Sequence, residues 1–183
     1  MSSQPPSPEY VVEPLAPHYD RTAFSCGEPS LDAYLKTQAS QDVKRDLSAC
    51  YVLAERGSAA IISYYTLSAS SVELTDLPDE LTKKAGRYRL VPAVLLGRLA
   101  VDRRYQGRGM STLLLLNALR RVLRTGIGVK LVLVDALHDR AAQFYEHFEF
   151  RRFADRPLTL YLPLSKVRDL FPEDAPASPP TQP

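Results

Sequence analysis

The stretch Val101–Thr112, VDRRYQGRGMST, decides the fold of this chain because it joins two apolar segments of different kinds. Pro92–Val101 before it is typical of a strand, and Thr112–Arg124 after it has the apolar spacing of a helix. Lys130–Asp135 is again typical of a strand. Strand, helix and strand in this order predict a right-handed crossover between two parallel strands. The turn between the first strand and the helix then lies at a helix N-terminus.

This turn has the chemistry of an anion site. Backbone N–H groups without helical partners and the positive end of the helix dipole point out of a helix N-terminus. Gly107 and Gly109 allow a diphosphate to approach the backbone closely, and Arg104 and Arg108 can neutralise its charge. The alternative is that the glycines only turn the chain and the arginines are solvated.

Two common phosphate-binding patterns fit this turn poorly. The P-loop pattern GxxxxGK[ST] is excluded because no lysine follows Gly107 or Gly109 at the required spacing. The dinucleotide pattern GxGxxG is half met, since Thr112 occupies the third glycine position, although Asp135 ends the next strand. A third pattern, [QR]xxGx[GA], fits from Gln106 onward, with a serine at its last position.

The third pattern resembles the pyrophosphate loop of the GNAT N-acetyltransferases, which follows the fourth strand of that fold and binds coenzyme A. Four segments are similar to the toxin branch of this family, the type II toxins that acetylate the amino acid on charged tRNA: FSCGEPSLDAYLKTQASQD, ISYYTLSASSV, LLGRLAVDRRYQGRGMSTLLL and LVLVDALHDRAAQFYEHFEF. The resemblance covers about residues 15–163. It implies an α/β GNAT fold, in which helices flank a mixed, mostly antiparallel sheet and a parallel strand pair is splayed around acetyl-CoA.

The resemblance also implies which residues bind acetyl-CoA, the expected cosubstrate. The pantetheine arm is expected to pair with the backbone of the strand end formed by Leu99, Ala100 and Val101, as an added strand would. The other residues expected at the cofactor are Arg104, Gln106, Gly107, Arg108, Gly109, Met110 and Ser111.

Tyr145 is the expected catalytic residue. It shares one helical face with Phe144 and Phe148, and from that pattern alone it would be assigned to the core. In the family that the chain resembles, the tyrosine of this FY pair is the general acid for the departing thiolate. A phenol with a pKa near ~10 is protonated at neutral pH and can donate.

The sequence departs from the family pattern at two positions. Ser111 replaces the final glycine or alanine of the loop, and serine is small enough to be tolerated there. Glu149 stands where the family has the glycine of a "GF" pair, which would strain the turn if the backbone φ there is positive.

The acceptor is expected to be a primary amine, with the α-amine of aminoacyl-tRNA as the first hypothesis. An α-amine with a pKa near ~7.7–8.0 is substantially neutral at physiological pH and needs little help from a base. Arg87, Arg89 and Arg98 are expected to contact RNA near the acceptor end. A small amine, a protein N-terminus, or a non-catalytic acyl-CoA binder that has no use for Tyr145 are the alternatives.

Composition completes these expectations. The 183 residues, 45% hydrophobic and 24% charged, predict one domain over residues 10–170, with disordered ends at 1–9 and in the proline-rich 171–183. Cys26 and Cys50 lie too far apart for a metal motif and are expected to be buried thiols, and no metal is expected. Without a signal peptide or a membrane span, the chain is expected in the cytoplasm. The family implies a homodimer and a ribbon-helix-helix antitoxin.

Overall fold

The computed structural model describes residues 9–83 and 88–174. They form two compact units. The first unit consists of residues 9–68 and 96–118, and the second of residues 69–95 and 119–174 without the undescribed positions. Arg87, one of the residues expected to bind RNA, lies outside the described residues.

The described residues contain one seven-stranded sheet with the strand order β1-β2-β3-β4-β5-β7-β6. Four neighbouring pairs are antiparallel: β1 with β2, β2 with β3, β5 with β7 and β6 with β7. The neighbours β4 and β5 form a parallel pair, which confirms the predicted crossover and the mixed, mostly antiparallel α/β sheet. The strands are β1 (Tyr10–Pro14), β2 (Ala49–Glu55), β3 (Ser63–Glu73), β4 (Leu90–Val101), β5 (Leu131–Asp135), β6 (Arg151–Arg152) and β7 (Thr159–Pro163).

The helices mostly follow the predicted amphipathic segments. The first helical segment begins at Pro29, whose fixed φ suits a first helical position, with Glu28 at the cap. It continues through a π-helical stretch, Tyr34–Gln38, into the second. The helices are α1 (Pro29–Ala33), α2 (Ala39–Lys44), α3 (Asp79–Thr82), α4 (Met110–Leu123), α5 (Asp139–Glu146) and α6 (Leu164–Leu170).

The core of the first unit is built around Tyr64 of β3. Its side chain is fully buried and lies against Phe24 and Tyr34, with ring centroids 5.5 and 6.4 Å away. Its hydroxyl donates to the carbonyl of Leu31 in α1 at 2.8 Å. A buried tyrosine normally needs such a partner, so Tyr64 fixes α1 to the sheet.

The second unit has its own core and a helix that sequence analysis missed. The rings of Phe153 and Tyr161 are tilted by 55° with centroids 5.0 Å apart, within a cluster of buried residues that includes members of β4, β5 and β7. The segment after β7 forms α6, although the leucines and valine there were not recognised as helical. The predicted tail begins at Phe171, yet Phe171 is buried and Asp174 accepts hydrogen bonds from Arg120 of α4 and from Arg124 directly after it. The folded part therefore extends to Asp174.

Candidate functional site

The two loop glycines adopt the backbone conformation that requires glycine. Gly107 has φ 74° and Gly109 has φ 77°, in the left-handed region that L side chains rarely adopt. A Cβ built on either residue would meet no atom within 4 Å. The glycines are therefore needed for the turn itself, and the open space beside their backbone is where a phosphate can approach.

The loop leads directly into α4, whose first N–H groups are unused. The carbonyl of Gly109 accepts from the N–H of Leu113 at 3.1 Å, so Gly109 is in the cap position. The N–H groups of the first turn, including Met110 and Ser111, have no acceptor within the helix. Since the Met110 side chain is buried, only its backbone can serve a ligand.

The two loop arginines have different surroundings. Arg104 donates from Nε and Nη2 to both carboxylate oxygens of Asp102, at 2.8 and 3.1 Å. Arg108 is exposed and lies over the ring of Tyr105, 5.5 Å from its centroid. Among the described residues no carboxylate pairs with Arg108. Arg108 thus has its full charge available for an anion, whereas Asp102 offsets that of Arg104.

Gln106 holds the loop in place. Its Nε2 donates to the carbonyl of Cys26 at 2.8 Å and to that of Val101 at 2.9 Å. Both hydrogens of the side-chain amide are therefore used within the protein. Sequence reasoning placed Gln106 at the cofactor, and the observed contacts give it the role of bracing the loop against β4 and against residues 25–27.

The backbone groups at the end of β4 face two different edges of the strand. The N–H of Asp102 donates to the carbonyl of Ile62 at 2.8 Å, next to β3. Because successive residues of a strand direct their N–H and C=O groups to opposite edges, Leu99 and Val101 direct theirs away from β3. Ala100 directs its groups toward β3, so the backbone of Leu99 and Val101 is the better candidate for pairing with an extended ligand.

Asp102 is a buried acid beside the loop that sequence reasoning did not single out. It is 2% exposed and accepts from the backbone N–H of Ser25 at 3.1 Å and of Arg104 at 3.0 Å. Burial alone would raise its pKa, but the hydrogen bonds from Arg104 and Ser25 lower it below its usual value. The sequence feature that marks Asp102 is its place directly after the apolar strand β4. A carboxylate buried there needs several hydrogen-bond donors.

Tyr145 lies in α5 of the second unit and is almost fully buried, with 7% of its surface exposed. Its ring contacts Phe144 and Phe150 edge to face, at 5.2 and 5.5 Å between centroids. In the described part of the chain its hydroxyl makes no hydrogen bond, and burial raises its pKa above the ordinary value. Tyr145 is therefore a protonated phenol with a free donor.

The described arginines expected to contact RNA have partners of their own. In the first unit, the guanidinium of Arg98 stacks on the ring of Tyr34, with its carbon 3.5 Å from the centroid. In the second, Arg89 is largely exposed and pairs with Glu73 at 3.3 Å. A guanidinium stacked on one face keeps its other face and edges for a base or a phosphate.

The cysteines match the predicted buried thiols. Cys26 and Cys50 are both free and buried, and burial raises their pKa to about 11 and about 12. Thiols with so high a pKa are poor nucleophiles. Among the described residues no group of three or more His, Cys, Asp or Glu side chains could hold a metal ion. No helix in these residues has the length and apolar character that crossing a membrane requires.

The region that contains the glycine loop is similar to a known protein family. The family profile of the acetyltransferase (GNAT) domain matches residues 48–152, which include β2 to β6 and the glycine loop. A tRNA-acetylating toxin of Mycobacterium tuberculosis is 40% identical over 154 residues, which cover 83% of this chain and 90% of that protein.

Solved structures show the same fold. AtaT in complex with acetyl-methionyl-tRNAfMet is 30% identical, with a TM-score of 0.82, and the match covers 89% of this chain and 99% of that chain. A mutant form of the AtaT toxin bound to acetyl-CoA and to the C-terminus of the antitoxin AtaR is 28% identical. Its TM-score is 0.76, and the match covers 90% of this chain and 99% of that chain.

Proposed function

The chain belongs to the GNAT acetyltransferase family and is an acetyl-CoA-dependent N-acetyltransferase, and from this we propose that it acetylates the α-amine of aminoacyl-tRNA and thereby blocks translation as a toxin. The proposal is supported by the tRNA-acetylating toxin at 40% identity and by the likeness to AtaT bound to an acetylated aminoacyl-tRNA. A chain that matches such proteins over most of their length shares the elements on which their chemistry depends.

The observation that carries the proposal is the glycine loop. Gly107 and Gly109 are both left-handed with open space beside them, and α4 begins at Met110. These features fit the diphosphate of coenzyme A, because the helix N-terminus provides N–H donors and favours negative charge. We assign Arg108 to the phosphates, and the backbone of Leu99 and Val101 to the pantetheine arm.

Tyr145 is the proposed general acid. Acetyl-CoA, when bound, supplies an acetyl thioester, and the reaction needs a proton for the thiolate that leaves. The Tyr145 hydroxyl holds a proton, makes no hydrogen bond among the described residues, and has a raised pKa. It can therefore donate that proton to the thiolate at neutral pH, and the proton that the amine loses as the amide forms returns, directly or through solvent, to the Tyr145 oxygen.

An α-amine is the acceptor that the chain's own groups favour. His138, one candidate base, accepts from the N–H of Ala141 through Nδ1 at 3.1 Å and so caps α5. An α-amine with a pKa near ~7.7–8.0 is substantially neutral without a base, whereas a lysine near ~10.4 is not. This acceptor chemistry is consistent with an aminoacyl ester.

The proposal extends to partners. AtaT binds the C-terminus of an antitoxin, and we propose that this chain likewise has a protein antitoxin, of the ribbon-helix-helix class, and acts as a homodimer in the cytoplasm. The RNA contacts are proposed for the arginines named above, Arg89 and Arg98, together with Arg87.

A translation extract supplied with acetyl-CoA tests the proposed function. The parent protein should stop protein synthesis, and Tyr145→Phe, which keeps the ring and its contacts, should do so at a rate lower by ~10²-fold. Adding excess charged tRNA should restore synthesis for a time set by its amount. Synthesis that continues at full rate with the parent protein would contradict the proposal.

A further inference from the structure

The short helix that carries Tyr145 is held at both ends by one side chain. Helix α5 has eight residues, Asp139 to Glu146, a length that is not stable by itself in water. Its first and last residues are both acidic and are seven positions apart, which places them on the same face two turns from each other. Arg152 of β6 binds both.

The contacts of Arg152 use every edge of its guanidinium group. Nε and Nη2 donate to the two carboxylate oxygens of Glu146 at 2.8 and 3.0 Å. Nη1 donates to Asp139 at 2.6 Å and to the carbonyl of Pro157 at 3.4 Å. The Arg152 side chain is only 25% exposed, and hydrogen bonds from it lower the pKa of both acids. Both carboxylates are therefore charged at neutral pH.

We propose that Arg152 is a positioning residue for the acetyl transfer, because its bonds to both ends of α5 fix the rotation and translation of the helix and thereby the place of the Tyr145 hydroxyl. This inference rests on the proposed role of Tyr145 as general acid.

The position of the Tyr145 hydroxyl depends on the position of α5. The Tyr145 ring is fixed against Phe144 and Phe150, and the Tyr145 carbonyl accepts from the N–H groups of Phe148 and Phe150 at 2.9 and 3.3 Å. Because Tyr145 is part of α5, a rotation of the helix about its axis carries the hydroxyl with it. A phenol hydroxyl lies ~8 Å from the axis of its helix, so a rotation of ~10° moves it by about 1.4 Å, which is enough to impair a proton transfer.

A positioning role differs from a purely stabilising one in what it predicts. Ion pairs between partly exposed groups contribute little to stability, so loss of the Arg152 charge should leave most of the protein folded. Its effect on catalysis should depend on the Tyr145 hydroxyl. A stabilising role would lower activity equally with or without that hydroxyl.

The test is a double-mutant cycle on kcat for acetyl transfer to the acceptor found active, with Arg152→Gln, Tyr145→Phe and the double variant. Arg152→Gln is expected to lower kcat about 10-fold with KM for acetyl-CoA within ~2-fold, and to have no further effect in the Tyr145→Phe background. Arg152→Lys, which keeps the charge but cannot bind both carboxylates as a fork, should restore part of the loss.

The matched control is Arg156→Gln, since the contacts of Arg156 among the described residues, with Asp76, Asp155 and the ring of Phe153, all lie outside α5; its kcat should equal the parent's. An equal fold-loss of kcat on Arg152→Gln in both backgrounds, or an unchanged kcat, would overturn the positioning role alone. A Tyr145→Phe variant with the parental kcat would instead show that Tyr145 is not the general acid, and the positioning role of Arg152 would fall with it. Should Arg152→Gln not fold, Glu146→Gln tests the same contact from the helix.

Discussion

The carboxylate of Asp102 and the guanidinium of Arg104 form a two-pronged pair, 2.8 and 3.1 Å long, directly before the glycine loop. The Asp102 carboxylate also accepts hydrogen bonds from the backbone N–H groups of Arg104 and Ser25. One buried acid thus sets the conformation of the chain as it leaves β4 and ties it to residues 25–27. The first prediction concerns this acid.

Asp102→Asn should lower the free energy of unfolding by about 1–3 kcal/mol, because an amide cannot satisfy the same four donors. The folded pKa of Asp102 is lowered, so its stabilisation is present above the unfolded value near ~3.9 and is lost as pH falls through the folded pKa. Thermal melts should therefore show the largest difference in Tm at neutral pH and a shrinking one below about pH 4. A difference that grows on acidification would contradict this account.

Gly109→Glu should abolish acetyl-CoA binding measured by calorimetry, because it adds strain, bulk and a negative charge where phosphates are expected. Gly126→Ala provides a control for backbone strain. Gly126 has φ 70° and open space around it, like the loop glycine, so this variant should lose stability but bind acetyl-CoA as the parent does. Parental affinity in Gly109→Glu would show that the cofactor binds elsewhere.

Glu149→Gly should raise Tm. Glu149 has φ 65°, a conformation that costs an L residue roughly 1–2 kcal/mol, and its contact with Lys166 is a loose 3.6 Å between exposed groups. We expect a net gain of about 0.5–1 kcal/mol after the entropy of glycine is counted. Glu149→Ala removes the same carboxylate and keeps the strain, so it should not raise Tm; an equal rise in both variants would point to charge instead.

Activity on charged tRNA should fall steeply with salt, since phosphate contacts release counterions. Arg89→Ala and Arg98→Ala should each reduce the slope of log activity against log salt by roughly one unit per lost phosphate contact. Arg56→Ala is the control, because Arg56 is exposed and pairs with Glu9 at 2.6 Å in a region with no expected RNA contact. Unchanged slopes for both variants would show that neither Arg89 nor Arg98 contacts RNA phosphates.

Periodicity and spacing were enough to predict the crossover and the helix after the loop, whereas the mostly antiparallel sheet was implied by the family resemblance. Helix α6 was missed since its seven residues follow β7 without an intervening turn signal, and helical periodicity cannot be distinguished over so short a length.

The candidate site was predictable only where the local sequence determines the conformation. Glycines in a turn indicate a left-handed backbone, and Gly107 and Gly109 both adopt it. The roles of Gln106 and Asp102 depend on Cys26 and Ser25, which lie some 80 residues earlier in the chain. A hydrogen bond between such distant segments leaves no periodic signal in the sequence, which is why neither contact could be predicted.

The central claim is tested most directly by incubating the purified protein with acetyl-CoA labelled in its acetyl group and a mixture of aminoacylated tRNAs, then isolating the tRNA. We predict that label is bound to charged tRNA and absent from deacylated tRNA, and that mild alkali releases it as an N-acetyl amino acid identified by mass spectrometry. The account is contradicted if the same preparation transfers acetyl to a free amine and leaves every aminoacyl-tRNA unlabelled.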